Sequence, residues 1–199
     1  MTLSDSDFVQ LNTSFEACIN ACPDLLATSY FDVDDRHGCN AGYVRKEQKI
    51  NVAGRQTEDP KSIIHFTETA RERWRDQYQW APKILHQFFA EGFEIQNNLV
   101  AQAKTHIAAL SETHPNMTEL YFPPEGPESL SFMRVLSYDS YDVHAQGSYA
   151  PVAKPHFDIG GVTIQAYADA AGFWGAKDGP FPDAHKLYYD TEPNTAYMF

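Results

Sequence analysis

Lys154-Pro-His-Phe-Asp-Ile-Gly-Gly-Val-Thr-Ile164 sets a histidine and an aspartate just ahead of a Gly-Gly turn and an alternating apolar run. His156 and Asp158 stand two apart, so on extended backbone their side chains leave the same side. An imidazole and a carboxylate on one face are two of the three groups in a two-histidine, one-carboxylate triad. Such a triad holds iron(II) and leaves positions open for other ligands. Gly160 and Gly161 follow at once, and Val162-Thr-Ile-Gln-Ala-Tyr167 then alternates with Val162, Ile164 and Ala166 on one face. The pair is therefore expected where one strand turns into the next.

Upstream of this stretch, a polar loop from Asp139 to Ala153 leads back to Leu130-Ser-Phe-Met-Arg-Val-Leu-Ser-Tyr138. This reads as a strand with Leu130, Phe132, Leu136 and Tyr138 on one side and Arg134 on the same parity. Downstream, Asn194-Thr-Ala-Tyr-Met-Phe199 is a further apolar, strand-like segment.

These residues resemble the iron(II) and 2-oxoglutarate dependent oxygenases of the isopenicillin N synthase type. That family's signature is a strand ending in Tyr, a Gly-containing loop, and then His-x-Asp-x-Gly/Ser-x-Leu/Val-Thr-Ile/Leu. Here Tyr138, Gly147, His156-Phe-Asp158, Gly160, Val162, Thr163 and Ile164 stand at matching places, and Ala171-Gly-Phe-Trp174 looks like the turn that follows. Asp59-Pro-Lys-Ser-Ile-Ile-His-Phe66, Trp80-Ala-Pro82 and a long helix after them are similar to the family's upstream segments.

The resemblance implies an α+β fold with a double-stranded β-helix (jelly-roll) core, incomplete at the C-terminus and backed by N-terminal helices. Residues 1–115 would be a mainly helical region packing on the barrel, and 116–199 the N-terminal part of the jelly-roll core. His156 and Asp158 would be the metal ligands and catalytic residues. Tyr138 would contact the carboxylate of the 2-oxoglutarate cofactor, its alternative being a core aromatic. Arg134 is a fallback carboxylate binder, its first reading being a surface or salt-bridged residue. The reaction implied is oxidation, by default hydroxylation, of a small organic substrate, with release of succinate and CO2.

The chain departs from the family in one respect. The second histidine and the arginine that salt-bridges 2-oxoglutarate are expected beyond Phe199, so the chain reads as C-terminally truncated. His144 and His185 are the stand-in candidates for the missing ligand, and the other histidines read as structural or surface groups on helices or loops. The alternatives are a non-catalytic jelly-roll or interaction fragment, and an oxidase of the same family that needs no 2-oxoglutarate.

The first half reads as helical. Phe8, Leu11, Phe15, Cys18, Cys22 and Leu25 recur every three or four residues, with Pro23 near the end. A longer stripe, Ile84, Phe88, Ile95, Leu99, Ala103, Ile107 and Leu110, begins just after Pro82. Tyr30-Phe-Asp-Val33 reads as a short strand, and residues 36–60 as mostly loop.

Hydrophobic residues at 43% provide for a packed core. A formal charge of −12 argues against general nucleic-acid or anionic-membrane partners. Three cysteines without a secretory signal predict reduced thiols and a cytoplasmic protein. Cys18 and Cys22 share a helix face and read as two small apolar groups.

Overall fold

The computed structural model describes residues 3–28, 30–34, 39–52, 55–77, 81–122, 131–138, 163–167, 174–176, 186–188 and 197–198. In chain order the elements are α1 (Asp5–Ala21), α2 (Pro23–Thr28), β1 (Tyr30–Asp34), β2 (Cys39–Val52), β3 (Arg55–Phe66), α3 (Glu68–Gln77), α4 (Lys83–Ser111) and α5 (Met117–Tyr121). The strands β4 (Met133–Tyr138), β5 (Ile164–Gln165), β6 (Trp174–Ala176), β7 (Lys186–Tyr188) and β8 (Tyr197–Met198) follow.

Ser4 starts α1: its backbone N–H and its hydroxyl both donate to Asp7 Oδ2, at 2.7 and 2.8 Å. These bonds hold the Asp7 carboxyl below its ordinary value. Leu11, Phe15 and Cys18 then fall on one buried face. Pro23 closes this helix and also opens α2 as its first residue. In α4 the expected start holds, with Pro82 at the N-cap. Its 29 residues make a rod of roughly 43 Å. Leu85, Phe88, Phe89, Gly92, Phe93, Ile95, Gln96 and Ile107 are its buried residues.

Strands β1 to β4 form one antiparallel sheet in the order β1-β2-β3-β4. Residues 36–60 are thus not mostly loop. Cys39–Val52 and Arg55–Phe66 are paired strands, with Val52 opposite Arg55 at the tip. The polar composition hid them, because backbone bonds hold a ladder together whether or not its side chains are apolar. Gly42, at φ 75°, takes a conformation that a side chain would strain.

One face of the sheet packs on the helices. Ile64 and Phe66 join Leu11, Phe15, Cys18, Leu26, Ala70, Trp74, Leu85, Phe88, Phe89, Phe93 and Ile95 in a single core, with Tyr43, Met133 and Val135 at its margin. Aromatic rings dominate it. Phe15 stacks on Phe88 at 5.3 Å, Trp74 on Phe89 at 3.8 Å, and Phe66 meets Phe93 edge-on at 5.1 Å. Buried Gln96 ties helix to sheet, its Nε2 donating to the Phe66 and Ser131 carbonyls at 2.8 and 3.4 Å.

In β4 the helix-packed residues are Met133 and Val135, the opposite parity from the expected apolar face. Phe132 and Tyr138 are 38% and 41% exposed. Both parities of this strand carry apolar residues, so alternation alone does not identify the face that meets the helices.

Mixed helix and antiparallel strand is what the described residues show. Residues 1–115 contribute three strands as well as helices, and β3 pairs with β4 across the position expected as a regional boundary. The jelly-roll expectation concerns strands that lie largely outside the described residues. Of that region, β5 pairs with β8 and β6 with β7. Tyr167, just after β5, stacks on Phe8 of α1 at 6.1 Å. Among the described residues no helix is long and apolar enough to cross a membrane.

Candidate functional site

His156 and Asp158 lie outside the described residues, as do His144, His185 and His37. Among the described residues, no group of three or more His, Cys, Asp or Glu side chains could hold a metal ion. The metal pair therefore rests on residue type and spacing. An imidazole and a carboxylate are donor types that iron(II) accepts, and such a pair would supply two of a facial triad's three ligands.

Tyr138 is described, at the C-terminal end of β4. It is 41% exposed and stands opposite Lys61, whose Nζ lies 5.3 Å from its ring centroid. That exposure sets aside the alternative of a buried core aromatic. Tyr138 sits on the sheet face turned away from the helical core, because its parity partners are Leu136 and Arg134.

The structure adds a residue that sequence reasoning assigned only to a helix or loop. His65 belongs to strand β3 and is 4% exposed. It stands opposite Arg134, and Arg134 Nε donates to His65 Nε2 at 3.0 Å. Accepting at Nε2 makes this imidazole neutral, with its proton on Nδ1. Phe132 completes the cluster. Its ring meets His65 edge-on at 5.9 Å, and the Arg134 guanidinium carbon lies 5.4 Å from its centroid. The only sequence hint of its burial is Ile63-Ile64-His65-Phe66, a short apolar run at the end of a mostly polar strand, where alternation gives His65 the parity of Ile63.

The same sheet face carries three consecutive cross-strand rows: Lys46, Lys61, Tyr138; then Val44, Ile63, Leu136; then Gly42, His65, Arg134. Opposed residues share a face. The three rows contain no carboxylate, in a chain whose net charge is −12.

Cys18 is fully buried, and burial pushes its thiol up to about 12. Cys22 Sγ lies 3.3 Å from the Cys18 carbonyl oxygen, and the two share one helix face as expected. His86 packs edge-on to Trp74 at 5.5 Å, and His106 and His114 are exposed. These placements match structural and surface roles.

Compared with protein-family models, curated proteins and solved structures, the chain matches none.

Proposed function

We propose that the chain carries part of a non-haem iron(II) and 2-oxoglutarate dependent oxygenase site, acting on a small organic substrate in the cytoplasm within a jelly-roll core. The observation that carries this reading is His156-Phe-Asp158, followed by Gly160, Val162, Thr163 and Ile164, after a strand that ends in Tyr138. His156 and Asp158 would hold the metal, and Tyr138 would approach a carboxylate of 2-oxoglutarate. When bound, iron(II) with 2-oxoglutarate and O2 supplies the oxidation of a C–H bond, with succinate and CO2 released. The protein's own part is to bind, orient and shield the reactants from water. The reading is supported by the exposure of Tyr138, which stands beside Lys61 at the end of β4.

Succinate release from 2-oxoglutarate under air, with iron(II) added, tests the reading. The wild-type chain is expected to form succinate, and Asp158→Ala to form none. A wild type that forms no succinate with any substrate offered favours the non-catalytic reading instead. Substrate oxidation without 2-oxoglutarate would mark the oxidase variant.

A further inference from the structure

We propose that the outer edge of β2, from Tyr43 to Val52, pairs antiparallel with the same edge of a second copy of this chain, about a two-fold axis at Gln48. Strands β2 and β3 run together well past the rest of their sheet. β1 pairs with β2 only between Cys39 and Gly42, and β4 pairs with β3 only between Lys61 and Phe66. From Glu47 opposite Pro60 to Val52 opposite Arg55 they therefore form a ribbon about 20 Å long, with no third strand among the described residues. A lone two-stranded ribbon is marginally stable in water, and its unpaired backbone groups are a template for another strand.

The two free edges differ. On β3 the run ends in Pro60, next to the point where β4 begins to pair, and a proline offers no N–H to an added strand. On β2 the stretch Tyr43-Val-Arg-Lys-Glu-Gln-Lys-Ile-Asn-Val52 contains neither proline nor glycine. It also matches a reversed copy of itself. With Gln48 opposite Gln48 of the second copy, Glu47 stands opposite Lys49 and Val44 opposite Val52, and each pair occurs twice. Within one copy Lys49 already stands opposite Glu58. That row then runs Glu58, Lys49 and Glu47 of the second copy, alternating in sign across three strands. An axis at Glu47 would instead set Arg45 against Lys49, and one between Glu47 and Gln48 would set Lys46 against Lys49. An axis between Lys46 and Glu47 opposes unlike charges, but it sets Val44 against Lys49 and shortens the ladder before β1 intervenes.

Sedimentation velocity of the full chain between about 10 and 500 µM tests the pairing, with a dimer of Kd about 100 µM or tighter expected. Glu47→Lys and Lys49→Glu, each alone, set like charges opposite one another and are expected to weaken the dimer at least about fivefold. An equimolar mixture of the two variants restores both unlike pairs, so the dimer is expected to return in the mixture. That return separates strand pairing in this register from general adhesion. Should either variant lose the ribbon itself, by circular dichroism, Gln48→Cys still decides the matter. Mild oxidation is expected to link position 48 of one copy to position 48 of the other, as peptide mapping would show. Asn51→Cys, roughly 20 Å from its own counterpart in this register, is expected to stay unlinked.

A chain that stays monomeric over the whole range would overturn the proposal. So would a mixture no more dimeric than either variant alone, or linkage at position 51 as fast as at 48. The pairing uses neither His156 nor Asp158, so it stands or falls separately from the oxygenase reading.

Discussion

The ring of Phe66 on β3 rests against the bare Cα of Gly92 on α4, in the space a Cβ at residue 92 would need. Phe66 is fully buried among Phe88, Phe89 and Phe93, so its ring has no room to withdraw. Gly92→Ala is therefore expected to destabilise the chain by about 1–3 kcal/mol through overpacking. The gain in helix propensity, about 1 kcal/mol in an exposed helix, acts the other way. Urea midpoints measure the balance. Adding Phe66→Leu to Gly92→Ala should give a favourable coupling of more than about 0.5 kcal/mol, since the smaller side chain relieves the overlap.

The buried Gln96 side-chain amide links α4 to the Phe66 carbonyl at the end of β3 and to the Ser131 carbonyl just before β4. Gln96→Leu would leave the Phe66 carbonyl without that donor, at a cost of about 1–3 kcal/mol. Gln87→Leu, at an exposed position of the same helix, should stay within about 0.5 kcal/mol. Thermal or urea unfolding of the two variants side by side checks the contrast.

How far the sequence could be read follows from what holds each element. The faces of α1 and α4 were legible because Leu11, Phe15 and Cys18, and then Phe88, Ile95 and Ile107, repeat at helical spacing. Phe89 and Phe93 broaden the α4 face beyond a single stripe, and Leu110 at its end is 39% exposed. Helix α3 gave little signal, since only Ala70 and Trp74 mark its buried side and Thr67 caps it through a bond to the Ala70 N–H. The β2–β3 ladder was hidden by its polar residues. For the site, Tyr138 was legible as the end of a strand. His65 was not, because its role comes from a cross-strand partner 69 residues away. His156 and Asp158 remain a statement about residue type and spacing.

Cys18 supplies a pH prediction. Burial raises its folded-state pKa from 9.0 to about 12. The folded chain therefore binds more protons than the unfolded chain between those values, and stability falls as pH rises from about 9 towards 12. Cys18→Ala should flatten that part of the stability curve, although it also leaves a small cavity. Alkylation at pH 8 should modify half-buried Cys22 slowly and Cys18 only after unfolding, as peptide mapping would show.

Equilibrium dialysis against iron(II) under anaerobic conditions asks whether His156 and Asp158 grip a divalent metal. Up to one ion is expected per wild-type chain, with His156→Ala and Asp158→Ala each losing that ion while keeping the wild-type circular dichroism spectrum. Wild-type protein that binds no metal, or variants that bind as the wild type does, would contradict it.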